Sequence, residues 1–529
     1  MLILQNARII ESENHSGMSE ALAIRAGKVV AVGRNADVLS LADRNSEILD
    51  MHGKTILPGL TDSHIHLQHL GRSLSMVNCE TDKIQDCYDR LKDRANGTTP
   101  GDWILGYGWN QNQWSGGFND IALLHQVSEE HPIIITAKSL HAAWANKRAL
   151  EMAGITRETT DPQDGFIGRN AEGYPNGLLF ENAMGLMNDF IPAQSGQTLS
   201  DNLHATQSEL WKTGITAVHD FDGAECFATL QQLDRQNKLM LRIVKSLPLQ
   251  NLEAAVQTGL QTGFGSDFLR IGSIKLFADG ALGPQTAAML EPYETNPDNS
   301  GILMLSREEI IQYGKFATKN GLSLAIHAIG DRANREVLDA YSEIRQYEQE
   351  NHLPGLHHRI EHVQVLAEHD LNRLAENNII ASMQPIHLVS DMDTADRFWG
   401  RRSRYAYAFN SLLHNGTKLI FGSDSPVESF NPFFGMFAAL TRSKFDHLKS
   451  SSWYPEEKIS LENILDAYTI NPAIVSDWDD KIGSISAGKF ADLIVLPVNP
   501  FEIDPFELKD LYPVATMVAG QWVWQEDEF

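Results

Sequence analysis

Short apolar runs recur along the middle of this chain, separated by polar stretches in which apolar residues return every three or four positions. The runs Leu60–His66, Thr216–Asp220, Leu241–Ser246, Ile271–Phe277, Leu322–His327, His358–His362, Ile379–Gln384 and Lys418–Ser423 read as strands. Stretches between them, such as Arg307–Lys319 and Ala367–Glu376, have the period of amphipathic helices. Strands alternating with helices predict parallel pairing through crossover units. Eight such units predict an α/β fold, a closed (β/α)8 barrel of the TIM type, with its working groups at the carboxyl ends of the strands. An open doubly wound sheet is the alternative, but no Gly-x-Gly-x-x-Gly turn follows the first strand.

The two ends of the chain have a different pattern. Leu2–Ile10, Ala21–Ala26 and Lys28–Val32 alternate with turn signals, as do Gly483-Ser484-Ile485, Ala491–Pro497 and Val514–Trp524. Termini often lie close together in compact proteins, so residues 1–57 plus 481–529 are expected to form one small β-sandwich domain, and residues 58–480 the barrel. The interval from about 70 to 200 is too long for one crossover. It holds its own strand, Pro132–Ala137, and an aromatic cluster of Trp103, Tyr107, Trp109 and Trp114. An inserted cap subdomain over the barrel mouth is expected there.

Composition narrows the classes of function. With 42% hydrophobic and 21% charged residues the chain is an ordinary soluble globular protein rather than a disordered one. A formal net charge of −26 argues against nucleic acid and anionic membranes as partners, because both are held by clustered Lys and Arg. The three cysteines, Cys79, Cys87 and Cys226, form no Cys-x-x-Cys pair, so reduced structural thiols are expected rather than a thiolate zinc site or a disulfide framework. No basic start with an apolar stretch opens the sequence and no run approaches the ~18 apolar residues of a spanning helix, so a cytoplasmic location is expected.

Candidate chemistry enters at Pro58-Gly59-Leu60-Thr61-Asp62-Ser63-His64-Ile65-His66. Alternate strand residues share a face, so His64 and His66 can present two imidazoles to one metal ion while Ile65 points away. By itself His-x-His is a weak signal in a chain with 19 histidines. Lys275, His327 and His362 then fall at the ends of predicted strands four, five and six, and Asp424 directly follows strand eight. Taken singly, each of these reads as a packed histidine, an ion-paired lysine or a helix cap. Their joint placement at one end of one barrel points to metal.

These residues resemble the amidohydrolase superfamily, whose metal ligands occupy those strand ends in that order. The likeness extends to Gly483-Ser484-Ile485-Ser486-Ala487-Gly488-Lys489-Phe490-Ala491-Asp492-Leu493, typical of the superfamily's small β domain. More narrowly, the chain is similar to the branch that contains N-substituted formamide deformylases. The phrases that carry this are Gly106-Tyr107-Gly108-Trp109, His141-Ala142-Ala143-Trp144-Ala145-Asn146, Lys275-Leu276-Phe277-Ala278-Asp279-Gly280, His327-Ala328-Ile329-Gly330-Asp331 and Gly422-Ser423-Asp424-Ser425-Pro426. The resemblance implies a divalent metal centre, with two ions, held by His64, His66, Lys275, His327, His362 and Asp424. Zinc is the first expectation, and Mn, Fe or Ni suit the same ligands. It also implies that Lys275 is carbamylated, since a bare ammonium beside two cations would be repelled.

The activity so implied is hydrolysis of a non-peptide C–N bond, in an amide or N-substituted formamide, by a metal-bridging hydroxide. Asp424 would be the general base and acid, taking the hydroxide proton and returning it to the leaving amine. Trp109, Trp114, His141, Trp144, Asn146, Asp279, Gln285 and His387 are candidate substrate contacts, and His219 and Asp331 candidate supports. Two alternatives stand beside this one. One is a mononuclear deaminase of an aminated heterocycle, which would not need the strand-four lysine. The other is a barrel scaffold or small-molecule binding protein without catalysis. A homodimer is the default expectation for assembly.

Overall fold

The computed structural model describes residues 1–11, 14–109, 114, 124, 126–137, 142–163, 165–191, 196–445 and 452–527. Its central sheet is built from the apolar runs, as β1 (Leu60–Ile65), β2 (Ile215–Asp220), β3 (Arg242–Pro248), β4 (Leu269–Phe277), β5 (Leu324–Ala328), β6 (Arg359–His362), β7 (Ile380–Met383) and β8 (Leu419–Phe421). The eight strands pair in chain order, every neighbour parallel, giving a (β/α)8 barrel of the TIM type with an additional β region. Strands covered on both faces need apolar residues on both, which is why these runs read as continuous rather than alternating.

β1 and β8 meet without a regular ladder. Ile65 and Ser425 form a parallel bridge, Asp424 N donates to His64 O at 2.7 Å, and His66 N donates to Ser425 O at 2.9 Å. The buried Asp62 carboxylate accepts from His64 N, Ser423 N and Ser423 Oγ at 3.0, 3.0 and 2.5 Å. Gly422 permits this approach, because a Cβ there would lie 2.4 Å from His64 N.

Helices follow the strands on the outside. Arg307–Lys319 forms one helix, begun by a capping box in which Ser306 Oγ accepts from Glu309 N and Glu309 reaches back. Ala367–Glu376 does not form one helix. A 3-10 turn over Glu368–Asp370 and a single turn over Arg373–Glu376 replace it, and Asp370 is buried against Arg335 and Arg373 at 2.9 Å each.

Both ends of the chain contribute to the β region. Thr55–Pro58 runs antiparallel to Leu493–Leu496, which continues into Ala515–Val518 and Gln521–Gln525. On its other side Thr55–Pro58 pairs with Arg8–Glu11, and a second sheet carries Leu2–Gln5, Ala21–Arg25, Lys28–Gly33 and Glu47–Asp50. Leu4, Ile9, Leu22, Ile56, Leu493 and Met517 share one core between them. Asp492, inside the signature Gly483–Leu493, takes two hydrogen bonds from the buried Arg242 at the start of β3, and the Phe490 ring lies 4.1 Å from that guanidinium. The signature thus fastens the β region to the barrel.

Gln68–Asn202 is a second compact unit, the first comprising Met1–Leu67 and Leu203–Phe529. It has its own six-stranded sheet, in which Ile133–Ala137 pairs with Ile104–Trp109 and Ala142–Ala145. Cys79, Cys87 and Cys226 are free and buried. Among the described residues no helix is long and apolar enough to cross a membrane.

Candidate metal centre

The carboxyl ends of β1, β6 and β8 bring together His64, His362 and Asp424, each offering one ligand atom within 4.8 Å of the others. His66 joins them. Its Nε2 lies 3.3 Å from Asp424 Oδ1, and His64 Nε2 lies 3.6 Å from the same oxygen. The His362 ring is 5.0 Å from His64, 4.5 Å from His327 and 6.3 Å from His387, centre to centre. Lys275, on β4, sends a buried Nζ into this space 4.4 Å from the centre of the Phe221 ring.

Two of these residues have unusual backbones. His362 has φ of 74° and Asp424 φ of 59°, in the left-handed region that L-residues adopt only at a cost. Strict alternation along β6 would turn His362 away from Glu361 and Arg359, and the left-handed residue ends that alternation. Such outliers concentrate where a side chain must be aimed.

The electrostatics suit a cation. Burial, reinforced by the Lys275 charge, lowers His64 to about 4 and His327 to about 4. Burial also holds His362 well below the ordinary imidazole value, with His327 and His64 beside it. Neutral imidazole is the form that ligates a metal. Burial pulls the Lys275 amine down to about 8. Burial opposes the charge on Asp424, yet His64, His66 and His362 hold its carboxylate well below the usual range. At His66 burial likewise opposes charge, but hydrogen bonds to Asp222 and Asp424 lift it to about 10, so this position attracts positive charge strongly.

Three buried polar atoms here have no hydrogen-bond partner among the described residues: Lys275 Nζ, His362 Nδ1 and His387 Nε2. Buried polar atoms are normally paired. Orphaned nitrogens around an ionised carboxylate and neutral imidazoles are the donor set of a divalent ion, so the residues fit the metal that the fold implies.

The other candidates divide clearly. His327 Nε2 lies 2.9 Å from Gly280 O and 3.6 Å from Asp279 Oδ1, so one of its nitrogens is turned toward the loop after β4. Asp279 accepts from Ala288 N, Ile329 N and Gly330 N, binding the loops after β4 and β5 together. Asp331 accepts from Leu290 N in the same region. Gln285 occupies a left-handed turn in that loop, φ 56°. His219 bonds Arg359 at 2.7 Å and Ser476 at 3.2 Å, within the barrel wall. His387 begins the helix after β7, with Nε2 3.9 Å from Asp424 Oδ2.

In the second unit, Trp109, Trp114 and Trp144 pack on one another at 6.0 to 6.2 Å between ring centres and are buried in that unit's own core. Asn146 caps the helix Lys147–Met152, accepts from Ile133 N and Ala149 N at 3.0 Å, and donates to His131 O at 2.9 Å. These side chains serve the insert's own fold. His141 lies outside the described residues.

Sequence reasoning missed Glu361 and Asp222. Glu361 Oε2 lies 2.6 Å from His64 Nδ1, and Asp222 Oδ1 lies 3.1 Å from His66 Nδ1. Both sit beside strand ends, and Glu361 shares the phrase Arg359-Ile360-Glu361-His362, but a carboxylate next to a histidine is too common to single out.

Fold and site together define a barrel hydrolase built around a metal-type ligand set. Residues 47–524 match the model of the amidohydrolase family, and the chain belongs to that family. It is a metal-dependent hydrolase acting on carbon–nitrogen bonds. It is similar to Protein LONG AFTER FAR-RED 3 of Arabidopsis thaliana, with 32% identity over 99% of this chain and 91% of that protein. N-substituted formamide deformylase of Arthrobacter pascens is a more distant relative, 27% identical over 98% of this chain and 97% of that one. A solved structure of an uncharacterized metal-dependent hydrolase from Pyrococcus horikoshii OT3 matches with TM-score 0.78 and 28% identity, covering 95% of this chain and 99% of that one.

Proposed function

We propose that this protein hydrolyses a non-peptide amide, N-substituted formamides foremost, at a centre that holds two divalent ions, with zinc the first choice. His64, His66, His327, His362, Asp424 and a carbamylated Lys275 would hold them. The observation that carries this reading is the convergence of His64, His362 and Asp424 ligand atoms beside the Lys275 amine, which has no hydrogen-bond partner among the described residues. A bound divalent ion supplies Lewis acidity toward the carbonyl oxygen and makes a water molecule acidic enough to attack near neutral pH.

The chain's own residues do the rest. Asp424 Oδ1 faces the Nε2 atoms of both β1 histidines, which leaves Oδ2, on the His387 side, to move a proton. Held ionised by its imidazole neighbours, Asp424 accepts the proton of the attacking water and returns it to the leaving amine nitrogen. His387 Nε2, buried and without a partner among the described residues, can donate toward Oδ2 or toward substrate. Lys275, buried and lowered to about 8, carries a usable fraction of neutral amine. That amine attacks carbon dioxide, forms an N–C bond and loses a proton, and the product is an anionic carbamate suited to cations.

The test is a screen of metal-loaded protein against N-substituted formamides, acylated amines and cyclic amides. Formate or carboxylate release with equimolar amine is expected. Ammonia release from an aminated heterocycle instead would replace this reading with a deaminase.

A further inference from the structure

We infer that Glu361 is a positioning residue that sets the tautomer of the His64 imidazole, so that its Nε2 lone pair faces a point beside Asp424, and that Asp222 is a positioning residue that orients His66 toward the same point. The inference rests on the metal reading above for its purpose, but its geometry stands on its own. Glu361 is completely buried, and Arg359 donates to Oε1 through Nε at 2.5 Å and to Oε2 through Nη2 at 3.0 Å. An arginine is always charged, and a carboxylate it holds in this way has only lone pairs to offer. The 2.6 Å contact between Oε2 and His64 Nδ1 therefore requires the proton on Nδ1. Nε2 is left with its lone pair. The opposite tautomer would place an N–H where a ligand atom is needed.

Arg359 cannot move to relieve this arrangement. It also donates to Ser63 O on β1 and Ser382 Oγ on β7, at 2.6 Å each, and lies 2.7 Å from His219 Nδ1 on β2, so three neighbouring strands hold it.

His66 is oriented by a second carboxylate. Asp222 Oδ1 takes the Nδ1 side at 3.1 Å. The segment that carries Asp222 is pinned from β3, where the buried Lys245 ammonium donates to Asp222 O and pairs with Asp220 Oδ2 at 2.7 Å. Phe221 N, between the two acids, donates to Ile65 O at 3.1 Å and ties the segment to β1 itself. Two carboxylates from two elements thus orient two histidines from a third, and both Nε2 atoms lie within 3.6 Å of Asp424 Oδ1. Carboxylates behind ligating histidines typically change metal affinity by about 10–100-fold.

The experiment combines two measurements. Nitrogen-15 NMR on histidine-labelled, metal-stripped protein reads which nitrogen of His64 bears the proton, and Nδ1 is expected. Zinc affinity by chelator competition is then measured for wild type, Glu361→Gln and Asp222→Asn. In Glu361→Gln the amide has one oxygen for three donors, so His64 loses its acceptor or Arg359 does. Each variant should bind zinc about 10–100-fold more weakly, with circular dichroism and the metal-free unfolding midpoint unchanged for Asp222→Asn. Protonation of His64 at Nε2 in wild type, or zinc affinity within about twofold of wild type in the folded variants, overturns the inference. If Glu361→Gln does not fold, Asp222→Asn and the wild-type spectrum still decide it. A wild type that takes up no zinc overturns the metal reading instead, while the tautomer measurement remains valid.

Discussion

Asp424 combines a left-handed backbone, φ 59°, with a carboxylate that is nearly enclosed by His64, His66, His362 and His387. A non-glycine residue in that conformation costs about 1–3 kcal/mol and persists only where its surroundings demand it. Replacing Asp424 by Asn keeps the shape and removes the proton-accepting oxygen. Turnover on the best substrate of the screen should fall by about 10²–10⁴, with fold and much of the metal retained by elemental analysis. Near-normal kcat would end the proton-transfer role. His64→Ala should instead lower metal content and rate together, since it removes a ligand atom and leaves the Arg359–Glu361 pair without its histidine. None of Lys275, His327, His362 or Asp424 is informative alone; their positions relative to strand ends made them legible. Glu361 was not legible, because its role depends on a histidine 297 residues away.

At the scale of elements, the join between β1 and β8 decides whether His64 and Asp424 meet. The ladder there is replaced by one bridge, two backbone hydrogen bonds and the Asp62 carboxylate, and Gly422 supplies the clearance. Gly422→Ala would drive a methyl group into His64 N. It should lower the unfolding free energy by about 1–3 kcal/mol in a denaturant titration and weaken metal retention at the same time. An unchanged midpoint with full metal content would show that the join tolerates repacking. The strands themselves were legible because doubly covered strands must be apolar throughout. The stretch Ala367–Glu376 misled for a related reason: its period is helical, but burying Asp370 against Arg335 and Arg373 favours a broken helix. Periodicity records which side is apolar and says nothing of a distant arginine.

Across the whole molecule, one buried ion pair joins the terminal β region to the barrel. Removing Asp492 would strand the Arg242 guanidinium in the interior, so Asp492→Ala should cost about 3–5 kcal/mol, read as a lower unfolding midpoint. Stripping metal by chelation should lower the midpoint of the intact chain as well, and zinc should restore it in a concentration-dependent way. A midpoint indifferent to zinc would count against a folded-state metal site. By itself the sequence determined the strand succession, the barrel, the β-rich ends and the ligand-type residues at the strand ends, because all of these follow from local periodicity and order along the chain. Only the tertiary structure decided which nitrogen of each β1 histidine meets a supporting carboxylate and which faces Asp424, which way His362 and Asp424 are aimed, and that Trp109, Trp114, Trp144 and Asn146 pack within the insert's own fold. Those depend on partners far apart in the chain and on left-handed backbone that only the folded surroundings can hold in place.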